Sequence, residues 1–142
     1  MINTGLGIEE IEIGMVASYS QTITDSDVKG FSGISGDKNP VHMSDEYAQS
    51  SRYKKRIAHG LLSASFFSSL FGTRLPGEGC VYVSQNLQFK RPVYIGDTVV
   101  ATVEVIRVDC KNRRAFFKTI CKVKNKVVID GEAEIYIPAK VV

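Results

Sequence analysis

The run at 57–71, IAHGLLSASFFSSLF, constrains the fold more than any other stretch of this chain. It contains no Asp, Glu, Lys or Arg, and its large apolar side chains fall on several faces of a helix, with Ala and Ser between them. A helix with no charged face must be enclosed by other structure. The serines do not forbid burial, because a helical hydroxyl can bond to a carbonyl one turn back. The run is no membrane span either. Its uncharged sequence ends at Thr73, is broken by His59, Gly60 and four Ser, and falls short of the ~20 apolar residues a bilayer requires.

The enclosure is written in the second half, which alternates with period two. Val81, Val83, Leu87 and Phe89 fall on one face of a strand whose other face carries Tyr82, Ser84, Asn86, Gln88 and Lys90. Val99, Ala101, Val103 and Val105 oppose Thr102 and Glu104. Residues 114–124 alternate less cleanly, with Lys118, Lys122 and Lys124 marking the wet side. Val127, Ile129, Ala133, Ile135 and Ile137 then alternate with Asp130, Glu132 and Glu134. Turns are expected at Gly96-Asp97, Lys111-Asn112 and Lys124-Asn125, and Asp130-Gly131 reads as a bulge. One apolar and one polar face predict an antiparallel sheet covered on one side, and the 57–71 helix is the cover. The expectation is a single α+β domain over 1–142, its sheet curled round one helix.

In the first half, residues 15–23 look extended. Thr24 caps a helix whose first turn carries Asp25 and Asp27, and Gly33 and Gly36 are expected to stop it near Gly33. A short helix over 45–51, capped by Ser44, completes the reading.

Composition narrows the function classes. A length of 142 residues suits one domain, or one repeat of a larger symmetric object. At 44% hydrophobic and 23% charged, the chain is neither disordered nor a coiled coil. A net charge of +3 is too small to argue for nucleic acid, and a pI near 8.8 suits an anionic small molecule equally well. Cys80, Cys110 and Cys121 are odd in number and form no CxxC, as expected of reduced thiols in the cytoplasm. Residues 1–12 lack a basic start and carry Glu9, Glu10 and Glu12, so no signal peptide is expected there.

Most binding motifs fail. Gly5-Leu6-Gly7 lacks a third glycine, no GK[ST] exists, and no GxSxG elbow surrounds Ser63, Ser65, Ser68 or Ser69. Asp37, His42 and His59 offer metal ligands, but no HxxxH or Cys/His cluster supports them and no metal is expected. The run Arg52-Tyr53-Lys54-Lys55-Arg56 reads either as solvated surface or as a cradle for phosphate groups.

What remains is 31–45, FSGISGDKNPVHMSD. Asp37 and His42 lie five residues apart, and Pro40 holds Asn39 extended between them. Gly33 and Gly36 allow a sharp bend or a close approach. An acid and an imidazole on one kinked loop form a general acid/base pair for water chemistry, or equally a capping Asp and a structural His.

The segment resembles the signature of the MaoC-like, or (R)-specific, enoyl-CoA hydratases of the hot-dog fold. The matching residues are Phe31, Ser35, Gly36, Asp37, Asn39, Pro40, Val41, His42 and Asp45, followed by Ala58-His59-Gly60-Leu61 at the entry to the central helix. The resemblance covers nearly the whole chain. It implies that Asp37 and His42 activate one water for addition to C3 of a trans-2-enoyl thioester, giving the (R)-3-hydroxyacyl product. It further implies that the Gly60 N–H binds the thioester oxygen; beside these groups Asn39 is expected to orient the pair or the water, and His59 to support the loop or the helix start by a hydrogen bond. No cofactor is implied beyond the coenzyme A of the substrate, whose phosphates would meet a basic rim drawn from Arg52, Lys54, Lys55, Arg56, Lys90 and Arg91. It also implies a homodimer, with no nucleic-acid or membrane partner. Two rivals share the fold: an acyl-CoA thioesterase and a non-catalytic acyl-CoA binding module.

Overall fold

The computed structural model describes residues 5–140, so the first residues of the 1–12 segment and the outermost ends of the 1–142 domain lie outside the described residues. Strand β1 (Val16–Thr22) is followed by helices α1 (Asp25–Ser35), α2 (Pro40–Met43), α3 (Asp45–Gln49) and α4 (Gly60–Thr73). Strands β2 (Val81–Gln85), β3 (Gln88–Phe89), β4 (Thr98–Asp109), β5 (Arg114–Val123) and β6 (Lys126–Tyr136) complete the chain. The sheet runs β1-β4-β5-β6-β2 with every pair antiparallel, and β3 also pairs with β6.

The sheet buries one face, as the alternation predicts. Val99, Ala101, Val103 and Val105 of β4 are fully buried, as are Ala115, Phe117, Thr119 and Cys121 of β5. Ala133 and Ile135 of β6 join them. On the outer face Lys118 pairs with Asp130 at 2.7 Å and Arg114 with Glu134 at 2.6 Å. The cover is α4, which presses Leu62, Phe66, Phe67, Leu70 and Phe71 into the core. Ring edges lock it there: Phe66 meets Tyr19 of β1, and Phe71 meets both Phe117 of β5 and Tyr82 of β2. Such T-shaped contacts add to the area buried. No helix among the described residues is long and apolar enough to cross a membrane.

The sequence signals for turns and caps are realised. Thr24 Oγ1 accepts from the Asp27 N–H, and the Asp27 carboxylate accepts from the Thr24 N–H, a reciprocal capping box. Lys124 and Asn125 both take positive φ in the two-residue hairpin between β5 and β6.

Four expectations are corrected. The buried helix begins at Gly60, because Ile57 bridges Tyr94 and Ala58 N–H donates to the Val93 carbonyl, drawing 57–59 into extended backbone. Helix α1 passes Gly33 and ends at Gly36, where φ of +78° supplies the left-handed cap. Residues 81–90 are two short strands, with Val83 bulged against β6, and Val81 and Val83 stand exposed while Tyr82 touches the core ring of Phe71. The bulge expected at Asp130-Gly131 lies instead at Val128, so that Val128 and Ile129 are buried in succession. Gly131 pairs regularly with Thr119 and serves another need: a Cβ there would stand 2.0 Å from the Asn86 carbonyl oxygen. The neighbouring segment 84–89 runs antiparallel along β6 and presses closest at that point, and β3 then brings Phe89 against the N-terminus of α4.

Candidate active site

The end of α1 and the one-turn helix α2 shape the segment 35–43. Ser35 Oγ donates to the Phe31 carbonyl and accepts from the Asp37 N–H, turning the chain out of α1. Asp37 Oδ1 then accepts from the Asn39 N–H at 3.2 Å, and Asn39 Oδ1 accepts from the Val41 N–H. Asn39 is thus the N-cap and Pro40 the first residue of α2, a pairing that suits both. The sequence reading placed His42 on a kinked loop. It sits on this helical turn instead, buried, while Asp37 is exposed at the turn before it.

The carbonyl partner fixes the tautomer of His42. Its Nδ1 lies 2.7 Å from the Ile57 oxygen, which can only accept, so Nδ1 carries the proton and Nε2 is the bare nitrogen of the neutral ring. Burial pushes the His42 pKa below the ordinary histidine value, with the neighbouring His59 adding to the effect; the Ile57 bond and Asp37 oppose it. A bare imidazole nitrogen at neutral pH is a general base.

His59 is spent differently. Its Nε2 donates to the main-chain carbonyl of Asp37 at 3.0 Å and lies 3.1 Å from Ser32 Oγ, whose hydroxyl donates to Met43 Sδ. The ring stacks on His42 at 3.9 Å between centroids and meets Phe31 on its other side. His59 therefore ties the Asp37 backbone to the start of α4. Nothing in the sequence marks Ser32 for this role, since a lone serine inside a helix carries no signal.

One ligand atom each from Asp37, His42 and His59 falls within 4.8 Å of the others. Two of the four ring nitrogens are already committed, His42 Nδ1 to the Ile57 carbonyl and His59 Nε2 to the Asp37 carbonyl.

These groups open onto a cavity of about 660 Å³. Asp37, His42, His59 and Gly60 form its chemical wall, and Phe31, Ile57, Leu61, Phe89 and Val93 its apolar one. Gly60 is the first residue of the 14-residue α4, where a main-chain N–H has no partner within the helix and the dipole favours negative charge. A Cβ on Gly60 would stand 2.4 Å from the Phe89 ring, so glycine lets that ring close over the helix start. Leu62, Phe66 and Phe67 are core side chains and do not reach the cavity.

The six basic residues divide. Arg52, Lys90 and Arg91 line the cavity. Lys54, Lys55 and Arg56 border a separate pocket of about 380 Å³ with Asp45 and Tyr94. Arg56 is engaged elsewhere: Nε donates to the His42 carbonyl at 2.6 Å, Nη2 pairs with Asp25 at 2.7 Å, and Nη1 stands 3.9 Å from Asp45.

An antiparallel sheet wrapped on a buried helix is the hot-dog fold, and here an acid and a bare imidazole stand beside that helix's N-terminus. Residues 9–132 match the MaoC like domain, and the chain belongs to that family. It is 51% identical over 132 residues to the (R)-specific enoyl-CoA hydratase of Rhodospirillum rubrum, covering 93% of this chain and 92% of that protein. Identity to the 3-hydroxybutyryl-CoA dehydratase of Methylorubrum extorquens is 45% over 135 residues, covering 95% and 86%. The solved structure of an R-hydratase from Pseudomonas aeruginosa superposes with a TM-score of 0.90 at 39% identity, covering 96% of this chain and 88% of that one.

Proposed function

We propose that this protein reversibly hydrates trans-2-enoyl-CoA to (R)-3-hydroxyacyl-CoA, with Asp37 and His42 activating one water between them. The observation that carries the reading is an exposed carboxylate and the bare nitrogen of a buried imidazole on the wall of one cavity, beside the N-terminus of α4. Conjugate addition needs a base for water, an acid for C2 and relief of charge at the thioester oxygen. His42 Nε2 and the Asp37 carboxylate hold the water. As its oxygen adds to C3, one proton passes to the pair and one is delivered to C2, so no net proton is gained or lost. Charge developing on the thioester oxygen meets the Gly60 N–H, and a donor of this kind contributes about 10²–10³-fold. Asn39 fixes the Asp37 carboxylate through its main-chain N–H, and His59 fixes the same residue's carbonyl. Two assays on one trans-2-enoyl-CoA test the reading. Loss of the conjugated enoyl absorbance without thiol release supports it; free thiol points to a thioesterase, and tight binding with neither change to a binding module.

The neutral His42 gives a pH signature. Because burial lowers its pKa, the acid limb of kcat/KM should have its midpoint below the ordinary histidine value. An acid limb already complete above that value would contradict the base assigned here.

The coenzyme A phosphates fit the rim of Arg52, Lys90 and Arg91. Neutralising all three should raise KM several-fold with little change in kcat, since these contacts are equal in ground and transition states. Added salt should act the same way. An unchanged KM in the triple variant would move the rim elsewhere.

A homodimer accounts for the edge strand β2. Val81 and Val83 stand 48% and 44% exposed there, and Leu61 and Phe89 are also exposed nearby at the cavity mouth. An edge of this kind is protected by pairing with a second copy. Sedimentation should give a dimer or a multiple of it, and a fully active monomer at assay dilution would exclude the pairing.

A further inference from the structure

We propose that Arg56 is a positioning residue for His42, holding its main chain while the next residue, Ile57, holds its ring. The inference rests on the hydratase reading only for its kinetic arm. Two successive residues take the histidine from opposite ends: the Arg56 Nε donates to the His42 carbonyl at 2.6 Å, and the Ile57 carbonyl accepts from His42 Nδ1 at 2.7 Å. The strip that carries them is itself fixed. Ile57 N–H donates to the Val41 carbonyl, Ala58 N–H to the Val93 carbonyl, and Ile57 bridges Tyr94.

The guanidinium also joins helix ends. Its Nη2 meets Asp25 at the first residue of α1, its Nη1 faces Asp45 at the first residue of α3, and its Nε closes on the last turn of α2. The far end of α1, about 16 Å away along the axis of an 11-residue helix, delivers Asp37. One planar fork therefore sets the helix that carries the base, with its other nitrogens facing the first residues of α1 and α3. Arginine suits this place because its donors are fixed in a plane; a lysine ammonium is a point charge on a flexible stem. The side chain is 11% exposed, and the facing atoms Nη2 and Oδ1 are out of contact with solvent. Such a group is badly placed to meet a substrate phosphate. Its value lies in geometry, where a displacement of the base by about 1 Å can cost 10²-fold.

The test uses Arg56→Met, Arg56→Lys, His42→Gln and the double Arg56→Met/His42→Gln, assayed with a short trans-2-enoyl-CoA well below each melting temperature. Arg56→Met should lower kcat by about 10²-fold with KM within about twofold of wild type. Lys29 still faces Asp25 at 2.9 Å in that variant, so the carboxylate is not left alone. Arg56→Lys keeps a charge for Asp25 but cannot reproduce the planar fork, so it should melt near wild type and yet lose about tenfold in kcat. The double variant should be no slower than His42→Gln alone, because Arg56 acts through that ring. Ring ¹⁵N NMR of His42 needs no turnover: wild type should show Nδ1 protonated and Nε2 bare, and Arg56→Met a mixture of tautomers. A raised KM with intact kcat, or additive losses in the double variant, would overturn the proposal. So would a wild-type His42 tautomer in Arg56→Met, even if wild type hydrated no enoyl-CoA; that inactivity by itself would overturn the hydratase reading alone.

Discussion

Replacing Asp37 with Asn or His42 with Gln should each lower kcat for enoyl-CoA hydration by about 10²–10⁴-fold while the protein stays folded. Asparagine keeps an oxygen for the Asn39 N–H but cannot take the water's proton. Glutamine keeps an N–H for the Ile57 carbonyl but cannot shuttle a proton at neutral pH. KM should change little, since binding rests on the thioester, the pantetheine arm and the basic rim. If both groups act on one water, the double variant should cost far less than the product of the single losses, as for residues acting as a unit. Steady-state rates beside thermal melts decide it. Near-native turnover in a folded Asp37→Asn variant would end the assignment, and a large defect in His59→Gln beside a mild one in His42→Gln would exchange the two histidines' roles.

The largest effect on stability is expected at Gly131. An alanine Cβ would lie 2.0 Å from the Asn86 carbonyl oxygen, a backbone atom that cannot swing aside as a flexible side chain can. Asn86 N–H in turn donates to the Glu132 carbonyl, so relieving the clash disturbs the pairing of 85–88 along β6. Gly131→Ala should cost about 3 kcal/mol, the upper part of the range for overpacking. Denaturant melts measure it, with Gly30→Ala as the contrast. Gly30 lies in α1 with nothing within 4 Å of the added carbon, so alanine there should stabilise by about 0.5–1 kcal/mol. Equal stabilities for the two variants would refute the close approach at Gly131.

These positions also show why part of the molecule was legible in the sequence. The enclosed helix and the long strands β4 and β5 are governed by one rule each, that apolar side chains leave water, and period therefore reads out their inner faces. Residues 81–90 obey a different rule. Alternation turns their apolar side chains inward, but a bulge at Val83 and the close approach at Gly131 break the pattern, and Val81 and Val83 stand outside. Alternation cannot reveal a bulge, because the extra residue shows only in the partner strand's register. Gly131 was noticed as special for the wrong cause: close approach of another chain segment and a bulge both call for glycine.

The site divides along the same line. Asp37, His42, His59 and Gly60 are recognisable by residue type and spacing, and the fold gathers them at one cavity wall. The groups that hold them are main-chain carbonyls, those of Ile57 and Asp37, and a carbonyl has no residue type to read. Arg56 was read with its basic neighbours as part of a phosphate cradle, because sequence adjacency conceals that its side chain turns inward to Asp25 and the His42 carbonyl.

The most direct test of the account is the configuration of the product made from a short trans-2-enoyl-CoA. The purified protein should consume the enoyl absorbance and yield 3-hydroxyacyl-CoA of the (R) configuration alone, resolved by chiral chromatography after hydrolysis. Stereochemical purity is expected because one water, held by Asp37 and His42 on one wall of the cavity, can reach C3 from one face only. A racemic product would contradict the placement of that water, an (S) product would contradict the (R)-hydratase reading, and release of free coenzyme A with the double bond intact would contradict hydration itself.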